Sequence, residues 1–182
     1  MKATELLKQQ HREVAALFKS ALKSDDSDEQ MDLAEEIIDK LTLHAALEEE
    51  IFYPAVREAI GTRRGEQDVL EAYEEHHVMK LLMEELPNAD PAAENFDAKL
   101  TVLKEIVQHH VEEEEEEMFP AAEKKLGKAR LEELAEAMEE RAESGVAVEA
   151  SPDDEEHDAL DDDEAEEDDE PEVPRDRARS RR

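Results

Sequence analysis

Two stretches of the chain carry histidine and glutamate at one fixed spacing. The first reads HAALEEEIFYPA (residues 44–55) and the second HVEEEEEEMFPA (residues 110–121). An offset of 66 residues maps His44 onto His110, Glu48 onto Glu114, Phe52 onto Met118, Tyr53 onto Phe119 and Pro54 onto Pro120. On a helix, positions i and i+4 share a face, one above the other. Each pair therefore points an imidazole and a carboxylate at the same place. Such donors suit iron and similar first-row metals. A glutamate can bridge two ions, so two glutamates can share a pair. Their charges only partly offset two dipositive ions, and a hydroxide or oxide bridge would help complete the balance.

Two further histidines fit the same centre. His11 lies in QQHREVAALF with Val14 and Leu17 following it, and His76 lies in EEHHVMKLLM with Met79 and Leu82 at the same spacings. Four histidines and two glutamates from four helices can then meet at one level of an antiparallel bundle. Two alternatives stay open at this point. His77 competes with His76, and the pair His109–Glu113 also satisfies i, i+4, although the alignment of Pro54 with Pro120 favours His110–Glu114. Tyr73, one turn before His76, reads as packing. The run Glu112–Glu117 reads as a solvated face from which only Glu114 need turn inward.

Other chemistries find less support. A ferritin-like di-iron site needs ExxH motifs on two helices, and only Glu74–His77 has that form. The chain has no cysteine, which excludes disulfides, thiolate catalysis and cysteine-held zinc or iron–sulfur clusters. No serine neighbours a motif in the helical part, so nucleophilic hydrolysis is not indicated, and enzymatic activity is not expected. A helical interaction module with packed histidines is the main alternative without metal. It would leave buried imidazoles and carboxylates costing about 1–3 kcal/mol each if unpaired.

The elements that must position these residues are helices. Of the 182 residues 42% are charged and 3% aromatic, with four glycines, a mixture that suits amphipathic helices. Apolar residues recur at helical spacing over residues 2–23. Ser27 and Gln30 form a candidate capping box for a second helix beginning near Glu29. A break or kink is expected at Pro54, and GTRRG (61–65) is a turn. A third helix is expected over 66–86, ending before Pro87. Asp90-Pro91 is the expected start of a fourth, which runs to a second kink at Pro120. A shorter segment over 121–143 breaks at Gly127. Short loops between successive helices imply an all-α, up-down-up-down four-helix bundle with a short fifth helix.

Residues 1–143 are thus expected to form the bundle and 144–182 an acidic tail. Residues 143–182 hold 18 acidic and five basic side chains and end in RDRARSRR. The stretch 144–174 has no apolar period and is expected to be disordered, because it cannot bury enough surface to offset its ordering entropy. The tail is a candidate docking segment for a protein partner and could chelate cations loosely. The net charge of −33 would repel nucleic acid. The start, MKATELLKQQHREV, has no apolar run, and no stretch approaches membrane-spanning length. A cytoplasmic protein is expected.

Over about residues 1–142 the sequence resembles the hemerythrin-like, HHE cation-binding family. The resemblance rests on His11, on His44 with Glu48, on His76 and on His110 with Glu114. It extends to EEEIFYPA (48–55), FDAKLTVL (96–103) and EEEMFPAA (115–122). It implies a bundle in which those six residues ligate two iron ions, with Glu48 and Glu114 bridging. Oxygen-carrying members have a second histidine one turn after that of helix 3 and an HxxxxD pattern on helix 4. Here Lys80 and HxxxE stand instead. The resemblance therefore implies binding or sensing of oxygen, nitric oxide or redox state, or else iron storage or oxidative-stress chemistry, rather than oxygen carriage.

Overall fold

The computed structural model describes residues 1–145, and six α-helices account for most of them. They are α1 (Ala3–Ala21), α2 (Ser27–Leu47), α3 (Tyr53–Ile60), α4 (Arg63–Glu85), α5 (Glu94–Glu113) and α6 (Phe119–Glu143). Two five-residue π-helical turns, Glu48–Phe52 and Glu114–Met118, join α2 to α3 and α5 to α6. The backbone stays right-handed helical at Phe52, Tyr53, Met118 and Phe119. The expected break at Pro54 is therefore replaced by a widened turn. In that turn the Tyr53 amide donates to the carbonyl of Glu48, five residues back. The next carbonyl, that of Glu49, would take its i+5 bond from residue 54, where proline has no N–H. It accepts instead from the Tyr73 hydroxyl at 3.1 Å.

The four long rods form the expected up-down-up-down bundle: α1 packs on α2 and α5, and α4 on α5 and α2. The terminal helix of that expectation is α6, which spans 25 residues. It contains a kink at Gly127, whose φ of 72° and ψ of 169° lie outside the helical region and suit glycine. After the kink, Leu131, Leu134, Ala135 and Met138 bury against Leu7, Leu47 and Val56.

Helix ends differ from the sequence reading in three places. Asp26, not Ser27, caps α2: its carboxylate accepts from the amides of Asp28 and Glu29 at 2.9 and 3.2 Å. Gln30 is drawn away to the Ala21 carbonyl and Asp97, so no capping box forms there. Thr62 starts α4 earlier than expected by accepting from Gly65 N–H. Asp90-Pro91 forms a turn rather than a cap. Asp90 accepts from the amides of Ala92 and Ala93, and α5 begins at Glu94.

The apolar interior falls into two clusters. One holds Leu7, Leu47, Phe52, Tyr53, Phe119 and the α6 residues. The other holds Val14, Phe18, Ile37, Leu41, Met79, Leu100 and Leu103. In sequence, His11, His44 and His76 each lie between a residue of one cluster and a residue of the other. A polar layer thus crosses the bundle between two greasy ones. Residues 1–145 fall within one compact unit. The expectations for His157 and for the acidic tail beyond Gly145 lie outside the described residues.

Candidate metal centre

The buried polar layer contains the six residues singled out from sequence. His11, His44, His76 and His110 are 2–6% exposed, Glu48 is fully buried and Glu114 is 1% exposed. Each is carried by a different part of the repeat. α1 and α4 each supply one histidine. α2 and α5 each supply one in the last turn, and the π turns that follow begin with the glutamates.

All four imidazoles turn Nε2 toward one another. Nε2 of His11 lies 3.2 Å from that of His44, and Nε2 of His76 lies 3.1 Å from that of His110. Glu48 Oε2 lies 3.2 Å from His44 and 3.3 Å from His76, so this carboxylate touches both pairs. Glu114 Oε2 does the same, at 3.3 Å from His11 and 3.6 Å from His110. Two sets of atoms able to hold a cation result: His11, His44, Glu48 and Glu114 in one, and Glu48, His76 and His110 in the other.

The opposite ring nitrogens are all occupied. His11 Nδ1 lies 2.9 Å from Glu115, and His44 Nδ1 lies 2.8 Å from the Gln10 side-chain oxygen. His76 Nδ1 lies 2.8 Å from Glu49, and His110 Nδ1 lies 2.7 Å from Glu75. An acceptor on every Nδ1 assigns the ring proton to that nitrogen and leaves Nε2 with its lone pair inward, the orientation that metal-ligating histidines take. The pairing crosses the repeat. Glu49, on the first half, orients a histidine of the second, and Glu115 does the converse. Lys80 does not enter the layer; its ammonium bonds both Glu49 oxygens at 2.9 Å.

Electrostatics show what the layer lacks. Burial, and then the Glu114 charge, push the Glu48 carboxyl well above its usual range. Burial would raise Glu114 as well, but the neighbouring His11 imidazole and the charge of His110 hold it below. For His11, burial is outweighed by Glu114, and the imidazole is raised. His44 is driven well below its ordinary value by burial and by the charge on His11. The layer thus sets one carboxyl pushed toward its neutral form beside one held ionised, with the His11 and His110 imidazoles both raised by those carboxylates against the effect of burial. Two buried oxygens, Glu48 Oε1 and Glu114 Oε2, have no hydrogen-bond partner. An orphaned buried acceptor costs about 1–3 kcal/mol, and a cation is the partner this donor set would take.

One polar group breaks the repeat. The Tyr53 hydroxyl reaches into the layer, donating to Glu114 Oε1 at 3.0 Å and lying 3.3 Å from Glu48 Oε2 and 3.4 Å from His76 Nε2. Its counterpart is Phe119, which stacks on the His11 ring at 5.8 Å between centroids. The π turn makes this reach possible, because it brings residue i+5 onto the face that holds Glu48. Against the histidines lies a cavity of about 20 Å³ walled by Val14, Leu41, Met79, Met83, Val107 and Val111.

The alternatives left open in sequence differ in where the fold places them. His76 and His110 point inward, while His77 and His109 are exposed. Glu74 is exposed too, so Glu74–His77 builds no buried motif. Sequence reasoning missed Gln10, Glu49, Glu75, Glu115 and Tyr53. Four of these stand directly beside a candidate ligand in the chain, a signal that was legible. The run Glu112–Glu117 reads as a solvated face, yet Glu115 is half-buried and orients His11.

Comparison with known proteins agrees with this geometry. The Hemerythrin HHE cation binding domain family matches residues 2–122. The chain belongs to that family. A solved structure from Mycobacterium kansasii, a hemerythrin HHE cation-binding domain-containing protein, is 26% identical. It superposes with a TM-score of 0.69 over 79% of this chain and 86% of that one. A protein of Nostoc sp. described as a DNA nickase is 33% identical over 135 residues. That match takes in 74% of this chain but only 37% of the relative's length. Family and buried donor set together make this a cation-binding bundle.

Proposed function

We propose that the layer holds two iron ions and that the protein uses them to bind or sense oxygen, another small diatomic ligand or redox state. The convergence of four inward Nε2 atoms on two buried carboxylates, each touching both histidine pairs, carries this reading. His11 and His44 would hold one ion and His76 and His110 the other, with Glu48 and Glu114 shared. When bound, such a pair of ions supplies Lewis acidity and one-electron chemistry in a water-poor layer.

The chain's own residues shape what happens there. Gln10, Glu49, Glu75 and Glu115 fix the rings. The Tyr53 hydroxyl offers a proton beside Glu114 Oε1. The apolar walls of the 20 Å³ cavity leave room for about one water-sized molecule. That volume favours a diatomic ligand over an organic substrate. The cavity is also what favours sensing over the second reading, iron storage, which needs room for more metal than this layer has donors.

The nicking of DNA named for the Nostoc relative stays with that protein. A net charge of −33 opposes approach to phosphate backbones.

The test is metal analysis of the full-length protein beside its Glu48→Ala and Glu114→Ala variants. Two irons per chain in the parent, lost in both variants, would support the centre. Equal iron in all three would overturn it, because the acidic tail would then be the binder. Difference spectra under oxygen and nitric oxide would next distinguish a ligand-binding centre from a store.

A further inference from the structure

A second feature concerns how a cation reaches so closed a layer. Between α4 and α5 runs a cleft of about 150 Å³ lined by Asp68, Glu71, Glu75, Glu113 and Glu117. Its inner wall is made by His110 and Glu114 of the buried layer. Glu114 is 1% exposed, and its Oε2 lacks a hydrogen-bond partner. Two of the lining carboxylates, Glu75 and Glu113, and the exposed His109 beside them bring ligand atoms within 4.8 Å of one another. His109 Nε2 lies 3.5 Å from Glu113 and 3.7 Å from Glu75, while the other Glu75 oxygen orients His110. Arg64 is the one basic residue lining the cleft, and it pairs with Glu117.

On a chain this acidic, a cluster of carboxylates means little alone. The internal repeat supplies the control. With offsets of 65 for α1 to α4 and 66 for α2 to α5, Asp68, Glu71 and Glu75 correspond to Ala3, Leu6 and Gln10. Glu113 and Glu117 correspond to Leu47 and Ile51. In the first half these positions are neutral, and Leu6, Leu47 and Ile51 pack in the apolar cluster that includes Leu131, Leu134 and Met138 of α6. The same place in the fold is sealed with leucine on one side and lined with carboxylates on the other. The lining also leads to an unpartnered buried oxygen.

We propose that the cleft between α4 and α5 is the inlet through which a divalent cation reaches the centre, with Glu75, His109 and Glu113 as its transit site. This rests on the reading of the buried layer as a metal centre. Carboxylates on low-dielectric walls focus field lines and raise the local cation concentration. Successive oxygen and imidazole donors replace the ion's hydration water in stages, the last being His110 and the free oxygen of Glu114.

The experiment follows anaerobic uptake of ferrous ion by metal-free, full-length protein, with aliquots quenched by a ferrous-selective chelator. The inlet variant carries Asp68→Asn, Glu71→Gln, Glu113→Gln and Glu117→Gln. A control removes the same charge from the exposed face of α2, with Asp32→Asn, Glu35→Gln, Glu36→Gln and Asp39→Asn. The expected result is uptake slowed about tenfold or more in the inlet variant, with final iron content unchanged and a weaker dependence on salt. The control should load within about twofold of the parent. An inlet variant that loads as fast as the parent, or a control slowed equally, overturns the inlet. Lower final iron in the inlet variant alone also overturns it, by making those carboxylates ligands. A parent that takes up no iron overturns the centre itself and the inlet with it.

Discussion

Glu49 follows Glu48 directly in the chain, yet its carboxylate accepts from Nδ1 of His76, on the other half of the bundle, at 2.8 Å. The π turn that begins at Glu48 allows the neighbours to diverge. One carboxylate turns into the buried layer and the next turns along its edge to a ring held by α4. Glu115 repeats the arrangement toward His11 at 2.9 Å.

Replacing these orienting carboxylates should loosen metal without unfolding the bundle. Glu115→Gln and Glu49→Gln are each expected to weaken cation binding, measured with ferrous ion, by about 10–100-fold. Competition against a graded series of chelators measures this. Helix content by circular dichroism should stay at the parent's level. Affinity equal to the parent in both variants would remove the orienting role.

Removing the Tyr53 hydroxyl should be tolerated by the fold. Phe119 already fills the corresponding place in the second half, so Tyr53→Phe keeps the packed volume. In metal-free protein the change takes a donor from Glu114 Oε1, and a loss of about 1–3 kcal/mol is expected. Denaturant unfolding of parent and variant without metal gives the value directly.

The metal-free protein should lose stability as pH rises. The Glu48 carboxyl is raised well above 4.5 in the folded state, so folded protein keeps a proton that unfolded protein has released. Stability from that proton is full below pH 4.5 and fades as pH climbs through the raised value. His11, raised above 6.5, adds a loss of the same sign. His44 is lowered and works oppositely, destabilising the fold as pH falls below 6.5. Above that pH the raised groups, Glu48, His11 and also His110, dominate. Thermal midpoints of the metal-free parent should fall as pH rises above 6.5, and those of Glu48→Gln should fall less. Parallel curves would contradict the shift assigned to Glu48.

The α6 cover should be a stability element. Met138 is fully buried against the first half of the bundle, and Met138→Ala is expected to cost about 2–5 kcal/mol. Urea unfolding would show the drop. Cation affinity measured well below the transition should change little, since Met138 is not a member of the polar layer.

Much of this molecule was legible in its sequence because the 66-residue repeat joins chemistry to architecture. His44 with Glu48 and His110 with Glu114 gave the face, and the spacing of Val14 and Met79 gave the level of His11 and His76. What escaped was set by contacts across helices. Spacing along one helix does not show that Glu115 finds His11, or that Gln30 prefers Asp97 to a capping role. The π turns also escaped. Proline at 54 signals a missing amide, but whether the chain kinks or widens depends on what satisfies the freed carbonyl. Here the Tyr73 hydroxyl from another helix does so.

The crossed pairing of Glu49 with His76 and Glu115 with His11 makes the two halves depend on each other for more than contact area. Neither half, cut from the other, would own both a full donor set and correctly turned rings. Cation binding would therefore be felt as adhesion between the halves. Loading should slow their separation far more than it stiffens any single helix, and removing the cation should free them to breathe along the seam where α1 meets α5 and α2 meets α4.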